Sequence, residues 1–157
     1  MKHQEFEKRI EKYLKRQFGI TITAASKRQV YEALMSTVRE KLSEKKFAYE
    51  QELKKTKQKR AYYMSMEFLV GRTLRNNLFN LGVEKEIKEY LSDNNFDLDE
   101  IYDMEPDPGL GNGGLGRLAS CYLDALTSSD YPVTGFSILY EYGIFKQVIN
   151  NGWQQEF

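Results

Sequence analysis

The stretch Pro108-Gly-Leu-Gly-Asn-Gly-Gly-Leu-Gly-Arg-Leu-Ala119 decides how this sequence is read. Five of the eleven glycines in the chain fall at positions 109, 111, 113, 114 and 116. Glycine loses more backbone freedom on folding than any other residue, so an ordinary loop has no reason to carry such a run. What the run supplies is close approach of backbone N–H groups to a ligand. Directly after it, Arg117 to Leu126 restores a helical apolar face through Leu118, Tyr122, Leu123 and Leu126. A glycine loop that opens a helix presents unbonded N–H groups at the positive end of the helix dipole, a setting suited to phosphate. Arg117, one turn in, either adds charge or pairs with an acidic neighbour.

Two common phosphate motifs fit poorly. Gly109-x-Gly111-x-x-Gly114 satisfies the dinucleotide pattern G-x-G-x-x-G, but that pattern needs a preceding strand. Asp103-Met-Glu-Pro-Asp-Pro108 cannot form one, and its charge would repel pyrophosphate. Gly111 to Gly116 has the spacing of a P-loop, yet Arg117-Leu118 stand where Lys and Ser/Thr are needed.

Upstream of the loop the periodicity is helical. Phe6, Ile10, Tyr13, Leu14 and Phe18 recur at three- and four-residue steps, with Gly19 closing the helix. Val30, Leu34, Val38 and Leu42 repeat the pattern after a capping Ser26, and that helix runs on into the Lys-rich stretch before Ala61. Ala61 to Phe68 (AYYMSMEF) reads as a short buried strand with Tyr62, Tyr63, Met64 and Met66 in the core, leading to a helix from about Gly71 to Leu81. Glu84 to Leu91 makes a further helix, and Asp97-Leu-Asp-Glu100 resembles a capping box. Beyond the loop's helix, Tyr131 to Phe136 and Ile144 to Ile149 read as strands around a turn at Glu141 to Gly143.

Composition narrows the function. With 157 residues, 41% hydrophobic and 29% charged, the chain is globular in character and near the size of one domain. Residues 1–60 hold 17 basic against 8 acidic side chains, net +9, and residues 61–157 hold 6 against 15, net −9. The basic half suits either a polyanion contact or, more plainly, amphipathic helices with solvated lysines. No global basic excess points to nucleic acid, and no apolar run reaches membrane-spanning length. Met1 to Phe18 does not read as a signal peptide, so the cytoplasm is the default location. His3 is the single histidine, so acid-base work falls to carboxylates, lysines, tyrosines or a bound cofactor. Cys121 excludes an internal disulfide, no Cys/His cluster suggests a metal, and this thiol is expected to be packed rather than reactive. Trp153 with Phe145 is expected in a core or domain interface rather than stacked on sugar.

The loop Gly109-Leu-Gly-Asn-Gly-Gly-Leu-Gly-Arg-Leu-Ala119 resembles the glycine loop of the α-glucan (glycogen, starch and maltodextrin) phosphorylases. Three further blocks resemble that family in order and spacing: Tyr62-Tyr-Met-Ser-Met-Glu-Phe68 with Gly71-Arg-Thr-Leu74, Tyr140-Glu-Tyr-Gly-Ile-Phe145, and Gly152-Trp-Gln154. The resemblance implies an α/β fold, with an N-terminal helical region over 1–60 and, over 61–157, the incomplete start of a Rossmann-like domain of the GT-B type. It implies an enzyme that transfers a terminal α-1,4-linked glucosyl unit to inorganic phosphate, giving α-D-glucose 1-phosphate with retention. Its cofactor would be pyridoxal 5′-phosphate, attached to a lysine outside this chain, whose phosphate carries the proton. That agrees with a histidine-poor sequence. Carried over residue by residue, Asn112, Gly113 and Gly114 would face the cofactor, Gly113–Gly114 the phosphate region, and Gly114 and Leu115 the glucosyl unit. Glu67 matches an acidic residue near the catalytic cleft, either touching substrate or organising the loop.

Departures from the family pattern qualify this. Leu69 stands where better-known members place a tyrosine beside the cofactor, and Leu139 where an arginine is frequent. The N-terminal helices lack the nucleotide and phosphoserine control sites of the animal enzymes, so an unregulated, bacterial-type enzyme is expected, a homodimer when full length. The chain reads as an N-terminal piece of a longer polypeptide, inactive alone and prone to aggregate through a truncated sheet edge. Two other readings stay open: a dinucleotide-binding oxidoreductase module, which requires a strand immediately before Gly109, and a non-catalytic binding or assembly protein that uses the basic helices.

Overall fold

Local capping chemistry sets the first helices. Ser26 and Gln29 form a reciprocal capping box: the Ser26 N–H donates to Gln29 Oε1 at 2.8 Å, and the Gln29 N–H donates to Ser26 Oγ at 3.3 Å. The structure, a computed structural model, describes residues 3–143 and 147–156. It is mixed α/β and mostly helical, and it divides into two compact units: Met1–Lys55 with Arg72–Pro106, and Thr56–Gly71 with Asp107–Phe157. Among the described residues no helix is long and apolar enough to cross a membrane.

The first unit is built from α1 (His3–Phe18), a 3-10 turn at Ile22–Ala24, α2 (Lys27–Thr56), α3 (Leu74–Leu81), α4 (Glu84–Asp93) and α5 (Leu98–Asp103). Phe6, Ile10 and Leu14 of α1 meet Val30, Leu34 and Val38 of α2 in one core, joined by Leu74, Leu78, Ile87, Leu91, Leu98 and Ile101. These are the positions that three- and four-residue spacing places on one helix face. Leu42 stands partly exposed. Arg9 of α1 donates to Glu5 at 2.7 Å and reaches Glu44 at 2.8 Å, while Lys41 of α2 meets Glu5 and Glu44 at 2.7 and 2.8 Å. Helix α3 starts at Leu74 rather than near Gly71. The Glu105 carboxylate accepts the Thr73 and Leu74 N–H groups at 2.8 and 2.9 Å and so caps it from a distant segment. At α5, Asp97 caps the Asp99 N–H at 3.0 Å, but Glu100 pairs with Lys27 at 2.6 Å, so no reciprocal box is seen.

The second unit holds β1 (Ala61–Met64), α6 (Gly114–Ser128) and β2 (Val133–Phe136). Strands β1 and β2 pair in parallel, Ala61 opposite Val133 through Met64 opposite Phe136. Helix α6 and Phe68 lie over β2, where a Cβ on Gly135 would stand 3.1 Å from Leu123 Cδ1 and 3.2 Å from Phe68 Cζ. The Tyr63 ring packs edge-on to Phe68 and Tyr122, 6.1 and 5.9 Å away. β3 (Gln147–Asn150) and β4 (Trp153–Glu156) form an antiparallel hairpin across Asn151-Gly152.

Several sequence expectations are corrected here. β1 is not a buried strand: Tyr62, Met64 and Met66 are exposed, Met64 at 83%, and Tyr63 is half-buried, because among the described residues the strand pairs with β2 alone. The face that α6 buries is Gly116, Ala119 and Ser120 rather than Leu118 and Tyr122, which stand about half exposed. Cys121 is exposed rather than packed, and so is Trp153, on the hairpin. Ile144 and Phe145, expected in a strand and beside Trp153, lie outside the described residues.

Candidate functional site

The glycine loop is shaped by what lies on either side of it. Asp107 Oδ1 accepts the Gly109 N–H at 2.9 Å, turning the chain after Pro108. Gly109 then takes a φ of 59°, a left-handed conformation that favours glycine. From the other side comes the segment after β1. The Phe68 N–H donates to the Leu110 carbonyl at 2.6 Å, and the Leu69 N–H to the Gly116 carbonyl at 3.0 Å. Glu67 is set by Ser65, whose Oγ donates to the Glu67 carbonyl at 2.7 Å and accepts the Glu67 N–H at 3.2 Å. Two backbone bonds thus tie residues 68 and 69 to the two ends of the loop.

The loop delivers the chain into α6 with Gly113 at the N-cap in an extended conformation, and no side chain caps it. The N–H groups of a helix's first turn have no intrahelical acceptor, so those at Gly114, Leu115 and Gly116 depend on partners from outside the helix. A Cβ placed on Gly113 or Gly114 would meet nothing within 4 Å among the described residues. Gly111 and Gly116 differ. A Cβ on Gly111 would stand 3.0 Å from Glu67 Cβ and 3.1 Å from Leu69 Cγ; on Gly116 both distances are 3.0 Å. Arg117 Nη1 donates to the Leu69 carbonyl at 3.4 Å, and among the described residues no ion pair of Arg117 with an acid is seen.

Beside the loop lies a cavity of about 200 Å³. Met66, Glu67, Asn112, Tyr140 and Tyr142 line it together with the Gly109–Gly111 backbone. Tyr140 is anchored by its hydroxyl, which donates to the Met66 carbonyl at 2.9 Å. Glu67 Oε2 is buried with no hydrogen-bond partner among the described residues. The structure therefore brings Glu67, Asn112 and the Gly109–Gly111 part of the loop to one cavity; Gly113, Gly114 and the half-exposed Leu115 follow in the chain but are not among its lining residues. The roles of Leu69 in the loop's packing and of Tyr142 in the cavity wall were not read from the sequence; only the quoted Tyr140-Glu-Tyr142 block hinted at the latter. Larger grooves in the first unit, one of about 780 Å³ along α1, carry mixed charges such as Lys8, Lys12, Glu7 and Glu11.

No strand immediately precedes Gly109; the segment from Met104 to Asn112 is irregular and follows α5. The strand that a dinucleotide-binding module requires is missing there. Among the described residues no group of His, Cys, Asp and Glu is arranged to hold a metal ion.

Comparison with known proteins adds a finding of a different kind. The family described as carbohydrate phosphorylase matches residues 91–157. The chain is 47% identical over 133 residues to a glycogen phosphorylase of Chlamydia pneumoniae, across 85% of this chain and 16% of that protein. It is 45% identical over 132 residues to the brain form of glycogen phosphorylase from Bos taurus, and 44% identical over 132 residues to the human liver form. Each of those two matches covers 84% of this chain and 16% of the relative. The chain thus spans about a sixth of the length of the curated relatives it matches.

Proposed function

The chain belongs to the glycogen phosphorylase family, and from that premise we propose that it is part of an enzyme moving a terminal α-1,4-linked glucosyl unit onto inorganic phosphate. The product is α-D-glucose 1-phosphate, the glucan donor is glycogen, starch or maltodextrin, and the full-length protein works as a homodimer. The observation that carries this reading is the glycine pair Gly113 and Gly114, uncapped by any described side chain at the start of α6, with open space at both Cβ positions and inside the matched region. In this reading β1, α6 and β2 open a Rossmann-like domain of the GT-B type, for which the parallel β1–β2 pairing and the helix laid over it are the support.

The residues present fit an anionic group. Space is open above Gly113 and Gly114, no side chain caps the helix, and the first-turn amides lack intrahelical acceptors. Gly113 and Gly114 would hold phosphate, Asn112 would line the cofactor pocket, and the Leu115 amide would face the glucosyl unit. When bound, pyridoxal 5′-phosphate supplies the proton donor and acceptor through its phosphate. What this chain contributes is preorganisation: N–H dipoles already fixed in the loop meet negative charge without reorganising. Its attachment lysine is assigned to a part of the protein beyond these 157 residues, so the chain alone does not turn over.

Ligand linkage tests the reading. Inorganic phosphate that binds the folded chain raises its melting temperature in a concentration-dependent way, and chloride at equal ionic strength does not. A melting curve that responds equally to both salts contradicts a phosphate cradle. Release of glucose 1-phosphate from glucan by the chain alone contradicts the division of the active site.

A further inference from the structure

Two of the loop's glycines face protein and two face open space, and this split singles out the residues that sort them. Glu67 Cβ and Leu69 Cγ both stand 3.0 to 3.1 Å from the positions that Cβ atoms on Gly111 and Gly116 would occupy. Glu67 Oε2 follows at 3.2 and 3.1 Å. These separations are below ordinary van der Waals contact between carbon atoms. One side chain therefore closes on both ends of the loop at once, while the two glycines between those ends stay clear.

We infer that Glu67 is a positioning residue of the phosphate cradle. Its side chain, with Leu69 beside it, wedges against Gly111 and Gly116 and so forces the intervening Gly113–Gly114 amides outward. The inference rests on the proposed function and adds to it a division of labour: Gly111 and Gly116 serve packing, and Gly113 and Gly114 serve the ligand.

Three observations point the same way. The wedge is clamped by backbone bonds from Phe68 to Leu110 and from Leu69 to Gly116. Ser65 holds Glu67 by both its N–H and its carbonyl. Among the described residues the buried Oε2 makes no hydrogen bond, although it stands beside the Cβ positions of both glycines. A buried polar atom without a partner is unfavourable, so its placement against the loop calls for a reason.

The experiment uses the full 157-residue chain, with the first unit's core as an internal control of folding. Half-saturation by inorganic phosphate is read from the Gly113 and Gly114 amide resonances, and protection of the Leu69 amide from hydrogen exchange. Glu67→Gly, which removes the Cβ that an alanine would keep, weakens phosphate binding by about tenfold and loosens Leu69, a change equivalent to about 1.4 kcal/mol. Leu69→Ala removes the Cγ on the other side of the wedge and does likewise, should Glu67→Gly not fold. Glu67→Gln, equal in shape without the charge, restores protection and binds phosphate at least as tightly as the parent chain. Parent-like binding in both Glu67→Gly and Leu69→Ala overturns the positioning role alone. Weakened binding in Glu67→Gln overturns it too, by showing that charge and not shape is what matters. A parent chain with no response to phosphate removes the cradle itself, and the positioning role with it.

Discussion

Leu69 and Gly116 are joined twice: the Leu69 N–H donates to the Gly116 carbonyl at 3.0 Å, and Leu69 Cγ lies 3.0 Å from where a Gly116 Cβ would stand. A hydrogen bond fixes the spacing of the two backbones, and that spacing leaves no room for a side chain on the helix. Gly116→Ala therefore forces the wedge apart. Overpacking of this kind costs about 1–3 kcal/mol. At Gly114 nothing lies within 4 Å, and alanine in a helix is favoured over glycine by about 0.5–1 kcal/mol. Chemical denaturation of the second unit should move in opposite directions for Gly116→Ala and Gly114→Ala. A loss of similar size in both would contradict the split.

The capping box at the start of α2 is a second point of attack. Ser26 Oγ meets the Gln29 N–H, and Gln29 Oε1 answers at the Ser26 N–H. Ser26→Ala leaves a helix N–H without its partner and should cost about 1 kcal/mol. Ser26→Gly should cost only a few tenths of that. Thermal melts of the first unit decide the ordering.

Glu105 caps α3 from outside the helix, with its carboxylate on the Thr73 and Leu74 N–H groups. Hydrogen bonds to a charged group contribute about 1.5–3 kcal/mol. Glu105→Ala should weaken the first unit on that order, and amide exchange should speed up at Leu74 before it does in α4. Uniform loss of protection across both helices would argue against a local cap.

Acid should loosen the α1–α2 clasp. Hydrogen bonds from Lys41 and then from Arg9 hold both the Glu5 and Glu44 carboxyls below the ordinary carboxylate value of 4.5. A carboxyl depressed in the folded state binds its proton more readily when unfolded. Its stabilising contribution is therefore full above about pH 4.5 and fades as pH falls through the lower folded value. Both carboxylates are exposed, so the effect should shrink in high salt. Melting temperature followed from pH 6 down to pH 3 should drop less steeply in Glu44→Gln than in the parent chain. Identical slopes would mean that the pairs contribute nothing to folding.

How far the sequence discloses this depends on the kind of contact. The α1 and α2 core was legible because Phe6, Ile10, Leu14, Val30, Leu34 and Val38 follow helical spacing, and Ser26 signals its own cap. β3 falls within and just past the strand expected over Ile144–Ile149, but β4 and its pairing were missed, although Asn151 and Gly152 sit at φ 50° and 81°, the positive values a two-residue turn needs. An Asn-Gly pair is a strong turn signal, and Trp153-Gln-Gln-Glu156 simply lacked the apolar alternation that would have marked a strand. The buried face of α6 escaped notice for a related reason. Counting large apolar residues finds Leu118 and Tyr122, whereas the helix packs through Gly116, Ala119 and Ser120. At the site, a glycine loop opening a helix was readable from residues 108–126 alone. The family resemblance left Glu67 between touching substrate and organising the loop; its approach, with Leu69, to Gly111 and Gly116 was not legible, because no periodicity connects residue 67 with residues 111 and 116.

The most direct measurement is a titration of the isotope-labelled chain with inorganic phosphate at constant ionic strength, followed amide by amide. Saturable shifts should centre on Gly113, Gly114 and Leu115, with half-saturation in roughly the millimolar range expected of a few amide contacts, a binding free energy of about −4 kcal/mol. Shifts confined to the lysine-rich surfaces of α1 and α2, with those three amides unmoved, would contradict the account.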